Sequence, residues 1–234
     1  MKNKWGIGIA LFLLLDAVAC FYFFGRSVWS PVYTRIMGGK TATEVVRQIQ
    51  QKRPETIPAV IGLESLTLIG LKEEQVLEVW GHRPNHPPQQ ITAYPFTGYS
   101  GTLGPKLREG DRQIPEGLYQ IEYLNPNSSY HLSMKLNYPN KFDREKGKQD
   151  ERSRLGYDIF IHGKSVTIGC IPIGDSAIEE LFAMVAEIGV EKTSVILSPY
   201  DMRVQSKDLD ILEIDWEQEL YPQIKKALMA FANH

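Results

Sequence analysis

Cysteine is scarce in this sequence: there are 2 in 234 residues, Cys20 and Cys170. A disulfide-stapled secreted scaffold is therefore excluded, because such domains are dense in paired cysteines. A basic excess is missing as well, since 26 Lys and Arg stand against 28 Asp and Glu, a net charge of −2. Nucleic acid is excluded as the main partner, because neutralising phosphates takes a surplus of cations. Low-complexity tracts are absent, and nothing repeats at the roughly 20–50-residue periods of solenoids and propellers. What is there, 43% apolar and 23% charged residues, suits one globular domain with a core of ordinary size.

The one long apolar run lies at the front. Trp5 to Phe24, WGIGIALFLLLDAVACFYFF, has about the length a helix needs to cross a bilayer core. Its single formal charge, Asp16, costs roughly 3 kcal/mol at mid-membrane, which the surrounding Leu, Phe and Ile offset. Lys2 and Lys4 before the run favour a cytoplasmic N-terminus with the body outside. A cleaved signal peptide is the rival reading, with Ala17-Val18-Ala19-Cys20 as its cleavage site. Against it, Phe21-Tyr22-Phe23-Phe24 continues the apolar run past the cut, where polar sequence normally follows. Both readings export the body, which then keeps Cys170 alone, either buried and inert or kept for its chemistry.

The pattern divides the chain into a tip (1–4), an anchor (5–24), a spacer (25–62), a main domain (63–203) and a helical extension (204–234). In the spacer, Thr41-Ala42-Thr43-Glu44 has capping-box spacing ahead of Val45, Val46 and Ile49, and Pro54 ends that short helix. From Ser65 the period turns to alternation. LTLIGL and QVLEVWG flank a Lys72-Glu73-Glu74-Gln75 turn, and ITAYPF, GLYQIEYL, YHLSMKL, YDIFIH and TSVILSP are further short strands. Two helices interrupt them, one capped by Ser176 to Glu179 and ended by Gly189, the other from Trp216 to Ala232. The expectation is a mainly β fold with a few helices, α+β, built as a sandwich or barrel behind the anchor.

The segment IFIHGKSVTIGCIPIG, residues 159–174, carries the chemistry. Alternation puts Asp158, Phe160 and His162 on one strand face. Gly163 and Gly169 free the chain to turn, so the eight-residue spacing of His162 and Cys170 lets imidazole and thiol meet. A histidine beside a thiol makes it a competent nucleophile near neutrality, and the helix starting near Ser176 adds a positive end that favours thiolate. A hydrogen-bonded core histidine and an idle core cysteine fit the same spacing.

His162-Gly163 followed by Thr167-Ile168-Gly169-Cys170 resembles the signature of the YkuD-type L,D-transpeptidases, H-G, a loop, then S/T-x-G-C. Pro115-Glu116-Gly117-Leu118-Tyr119 resembles that family's P-x-G-x-F/Y strand start. Leu124 to Ser128, His131-Leu132-Ser133 and Asn137 to Asn140 are similar to blocks of its YafK-like branch. The likeness spans residues 63–203 and implies a YkuD-like catalytic domain there. Cys170 would attack an amide carbonyl of a peptidoglycan stem peptide, His162 would take its proton, and the Gly163 carbonyl would orient the imidazole. Amides around Gly169 and Cys170 would hold the oxyanion, a contribution often worth about 3 kcal/mol. Transfer to an amine and hydrolysis share this thioacyl-enzyme, and the branch adds release of a protein or peptide, such as a wall-attached lipoprotein, from diaminopimelate. A silent wall-binding scaffold is the reading from another class. With the Trp5–Phe24 anchor, the expectation is an inner-membrane, single-pass protein with its catalytic domain in the periplasm and no cofactor.

The chain departs from the family pattern at two places. Ile168 stands where many members have His or Lys, and Cys170-Ile171-Pro172 lacks their Arg two residues after the cysteine. Arg203 is the expected replacement as the cation for a substrate carboxylate, with a plain surface arginine as the alternative. Thr167, His131 and Ser133 are the other expected substrate contacts, the last two sharing a strand face with Lys135. His82 and His86 lack a Cys or acidic partner nearby, so no metal site is expected. Glu73-Glu74 and Lys146-Gly147-Lys148 read as solvated charge runs.

Overall fold

The computed structural model describes residues 38–207, 209, 211 and 213–232. Contacts divide the chain into Met1–Thr41, of which only 38–41 are described, and the unit Ala42–His234. The anchor expected over Trp5–Phe24 lies outside the described residues, and no helix among them is long and apolar enough to cross a membrane.

In chain order the elements are α1 (Ala42–Lys52), β1 (Ser65–Leu71), β2 (Val76–His82), β3 (Gln89–Pro95), β4 (Gly117–Ser128) and β5 (His131–Leu136). Then come α2 (Lys141–Gln149), β6 (Phe160–His162), β7 (Ile171–Pro172), α3 (Asp175–Ile188), β8 (Thr193–Ser198) and α4 (Glu217–Leu228). One eight-stranded sheet runs β3-β2-β1-β8-β4-β5-β6-β7, so the fold is mixed α+β. The long β4 joins its halves: Gly117 to Gln120 pair with β8, and the rest of the strand pairs with β5.

The strands β1 and β8 are buried on both faces, as their near-continuous apolar runs require. Leu66 and Leu68 of β1 face one core with Val195 and Leu197 of β8, covered by Leu181, Phe182 and Val185 of α3. Ile69 and Leu71 face the opposite way with Ile196, onto Trp216, Leu220, Ile224 and Leu228 at the C-terminus. Each fully buried Leu or Phe stabilises the fold by about 1.5–3 kcal/mol. Residues 42–60 join the first core through Val45, Ile49, Ile57 and Val60, so this part of the expected spacer belongs to the domain.

Other expectations are corrected locally. Ser176 does not cap α3. The helix starts at Asp175 after Gly174, and the Ser176 hydroxyl accepts from Arg53 at 2.6 Å. Lys146 to Lys148 lie in the helix α2, capped by a reciprocal Asn140–Asp143 box whose N-x-x-D spacing was available in the sequence. Lys72 is not a solvated turn residue: it is 1% exposed. Of YDIFIH only Phe160–His162 is strand, because Asp158 takes φ +58 and breaks the alternation.

Candidate active site

The far half of the sheet brings the two signature pieces together. β6 and β7 are parallel neighbours, with Ile161 opposite Ile171 and His162 opposite Pro172. His162 ends the first strand and Cys170 immediately precedes the second, so both lie at one edge of the sheet. On the other side of β6, Ser133 of β5 sits directly opposite His162, and Lys135 opposite Phe160.

His162 is 1% exposed, and its Nδ1 lies 2.5 Å from the Gly163 carbonyl. A carbonyl can only accept, so Nδ1 carries the hydrogen and Nε2 keeps the free lone pair. Burial lowers the imidazole pKa below its ordinary value, with the Gly163 carbonyl opposing, which leaves the ring neutral near pH 7. The ring of Tyr130 covers it at 4.6 Å. Gly163 is required sterically, since a Cβ there would stand 2.6 Å from Asp175 Oδ1 and 2.7 Å from the Tyr130 carbonyl.

Cys170 is half-buried, and its Sγ points to the Asp158 carbonyl at 3.7 Å. The thiol and the imidazole are thus not hydrogen-bonded to each other in this structure. Burial pushes the thiol pKa up, the Phe160 amide and the Lys106 ammonium oppose, and the nearby Asp158 adds to the rise. The expected help from the helix N-terminus does not outweigh burial, so the thiol is protonated at neutral pH and needs a base. Thr167 holds the backbone here, its Oγ1 accepting from Cys170 N at 2.9 Å and donating to Cys170 O at 2.7 Å. This corrects the expected oxyanion donors: the Cys170 amide is occupied, whereas that of Gly169 has no acceptor among the described residues. Gly169 has φ +118, and a Cβ on it would meet the Gln113 carbonyl at 2.9 Å.

That contact marks a wall. Residues 104–116 cross in front of the cysteine, and Lys106, Glu109, Arg112, Asp158, Ile168 and Cys170 are among those lining a groove of about 410 Å³. Arg112 has φ +61, is exposed, and makes no ion pair among the described residues. Lys106 is instead tied to Asp111 at 2.5 Å, and Asp158 to Lys135 at 3.2 Å. Tyr157 and Ile168, 68% and 73% exposed, give the groove an apolar rim.

The expected contacts fare unequally. Ser133 is placed beside His162. His131, at the hairpin with φ +73, is engaged by Glu179 at 2.9 Å. Thr167 serves the cysteine backbone. Arg203 is a correction: its side chain is 8% exposed, every guanidinium nitrogen donates to Glu78 or Asp201, and it stacks on Trp80. Such a saturated cation has no donor left for a ligand. His82 bonds Thr67 and His86 the Pro84 carbonyl, and no group of residues suited to a metal occurs among those described. Tyr130 and Arg112 were missed. A stacking ring and a positive φ are set by the loops that cross, and no short motif announces them.

A protein-family model for the L,D-transpeptidase catalytic domain (YkuD) matches residues 78–197, and the chain belongs to that family. Over 93% of its length it is 28% identical to YafK of Escherichia coli (strain K12), covering 80% of a protein whose L,D-transpeptidase name is itself provisional. Among solved structures it resembles the helical cell shape determining protein Pgp2 of Campylobacter jejuni, 17% identical with a TM-score of 0.47, over 79% of each chain. It also resembles Bdellovibrio bacteriovorus Bd1075, 21% identical with a TM-score of 0.43, over 74% of this chain and 60% of that one. For a mutant of Pgp2 the figures are 19%, 0.48, 82% and 62%, so the chain spans about three fifths of the length of two of these chains.

Proposed function

We propose that this chain is a cysteine enzyme that opens a stem-peptide amide of peptidoglycan through a thioacyl intermediate on Cys170. The observation that carries the reading is the adjacency of β6 and β7, with His162 Nδ1 held by Gly163 so that Nε2 is left as the base. In this reading Sγ leaves the Asp158 carbonyl and turns to that nitrogen as substrate binds, since such catalytic hydrogen bonds are often long in free enzymes and tighten with substrate. Nε2 takes the thiol proton, Sγ bonds the carbonyl carbon, and the Gly169 amide donates to the oxyanion. The C–N bond then breaks, and the imidazolium returns the proton to the leaving amine. An incoming amine gives transpeptidation and water gives hydrolysis, including release of a diaminopimelate-linked protein such as a wall-attached lipoprotein. In this reading Arg112, a groove cation without an ion pair among the described residues, takes the substrate carboxylate assigned in sequence to Arg203.

The decisive experiment incubates the full chain in detergent with peptidoglycan fragments and reads the products by mass spectrometry. A new cross-link identifies transfer, and a shortened stem peptide or freed adduct identifies hydrolysis. Cys170→Ala is expected to abolish both, and His162→Ala to slow them about 10²–10⁴-fold. A carbapenem, whose strained carbonyl mimics the amide, is expected to add its opened mass to Cys170. Wild-type turnover in Cys170→Ala overturns the mechanism, and no adduct from either drug or peptide leaves the silent scaffold as the account.

The inner-membrane, single-pass placement with a periplasmic catalytic domain belongs to the same proposal, supported by the Trp5–Phe24 run behind Lys2 and Lys4. A reporter fused after His234 is expected to be active only outside the cytoplasm. A mature N-terminus between Cys20 and Ser30 would overturn the anchor.

A further inference from the structure

The wall in front of Cys170 is fastened at its base by one buried ammonium. Lys72 Nζ donates to the carbonyls of Gly104 at 2.7 Å and Ile114 at 3.0 Å, the two ends of the wall, and to Glu116 Oε1 at 2.7 Å. Glu116 Oε1 also accepts from the Gly104 amide at 2.7 Å, and its Oε2 accepts from the Tyr221 hydroxyl of α4 at 3.0 Å. Both side chains of the Lys72–Glu116 pair are 0% exposed. A desolvated charge pair persists only where its geometry is good and its remaining donors and acceptors are filled, and here the wall fills them. The C-terminal segment also braces the wall from behind: Glu213 pairs with Arg108 at 2.7 Å, and a Cβ on Gly104 would stand 3.2 Å from Ile211. Lys72 and Tyr221 both lie outside residues 78–197, the stretch that the family model matches. The wall of the groove is therefore held from parts of the chain beyond that stretch.

We infer that Lys72, Glu116 and Tyr221 form a latch that sets the position of the 104–116 wall, and with it the fit of substrate beside Cys170. They are positioning residues, since none of the three lines the groove with the cysteine. Resting on the reading of the groove as a stem-peptide site, the inference assigns substrate fit to the C-terminal helix. Chemically, the latch is strong because hydrogen bonds in a dry setting gain more than solvated ones do.

The test uses the full chain with Tyr221→Phe, which removes one donor and keeps the ring. Three readouts apply: amide hydrogen exchange, the rate of Cys170 alkylation by iodoacetamide, and steady-state kinetics on a diaminopimelate-containing stem peptide. Loss of a hydrogen bond to a charged group is expected to speed exchange in 104–116 by about tenfold or more, with β1 unchanged. Alkylation is expected to rise severalfold as the wall loosens, and KM to rise more than kcat falls. Glu116→Gln, which strands the Lys72 charge, is the stronger perturbation, and its exchange is compared at matched melting temperature. Unchanged exchange and alkylation in Tyr221→Phe overturn the latch, as does faster exchange spread evenly over the whole domain. Exchange and alkylation need no substrate, so they decide the latch even if Cys170 shows no activity on peptidoglycan, a result that would count against the functional reading alone.

Discussion

The ring of Tyr130 lies 4.6 Å from the imidazole of His162, tilted by 39°, on a histidine whose Nδ1 is already tied to the Gly163 carbonyl. One neighbour fixes the tautomer and the other keeps water from the ring. Burial is the first cause of the lowered His162 pKa, so removing the ring is expected to raise it toward the ordinary value near 6.5. Below that value the unfolded chain binds a proton that folded His162 resists, so its contribution to stability falls as pH drops. In Tyr130→Ala the acidic limb of kcat/KM is expected to move to higher pH and the acid loss of stability to shrink, whereas Tyr130→Phe leaves both in place. A pH–rate profile with an unshifted acidic limb in Tyr130→Ala would refute this.

Thr167 makes two hydrogen bonds to the backbone of the residue whose side chain is the nucleophile. Thr167→Val keeps the shape and removes both, leaving the Cys170 amide without its partner. Stability is expected to drop by about 1–3 kcal/mol and kcat by about tenfold or more, with KM changed little. Thr167→Ser restores both bonds and is expected to restore kcat. Equal kinetics in Val and Ser variants would show that the loop is held by other contacts.

Arg112 and Arg203 separate a binding arginine from a structural one. Arg112→Ala is expected to raise KM about tenfold for a peptide with a free carboxylate and to leave its carboxamide analogue unaffected. Arg203→Ala strands the partly buried Glu78 and Asp201 carboxylates and is expected to cost about 3 kcal/mol in denaturant melts. If Arg112→Ala weakens both peptides equally, the guanidinium does not read the carboxylate.

Burial holds the carboxyl pKa of Asp143, in the α2 capping box, up at about 6. An acid raised on folding binds more protons in the native state, so stability declines as pH rises from the ordinary carboxylate range to about 6. The decline is on the order of 3 kcal/mol. Asp143→Asn is expected to flatten this slope while lowering the melting temperature throughout, because Asn offers one acceptor to the two donors, Asn140 N–H and the Tyr119 hydroxyl. Thermal melts between pH 4 and 7 decide it, and an unchanged slope would place the titration elsewhere.

The local pattern of the chain determined a good deal. Alternation placed β1 and β2 around the Lys72-to-Gln75 turn, because a two-residue period and a four-residue polar gap admit little else. The glycines at 163 and 169 and the spacing of His162 and Cys170 marked the site, because close backbone approach leaves a signature in residue type. The tertiary structure alone decided the fates of the charges. Lys72 and Arg203 look like surface residues in a polar turn and a loop, yet one is buried against Glu116 and the other locked by Glu78 and Asp201. Arg112, in an unremarkable stretch, is the cation left open beside the cysteine. A charge is buried or free according to which groups satisfy it: Glu116 lies 44 residues from Lys72, and Glu78, which completes the pairing that Asp201 begins, lies 125 from Arg203. Nothing local in the sequence carries that information, because the desolvation cost and the Coulomb gain are both fixed only when the sheet closes and the helices dock.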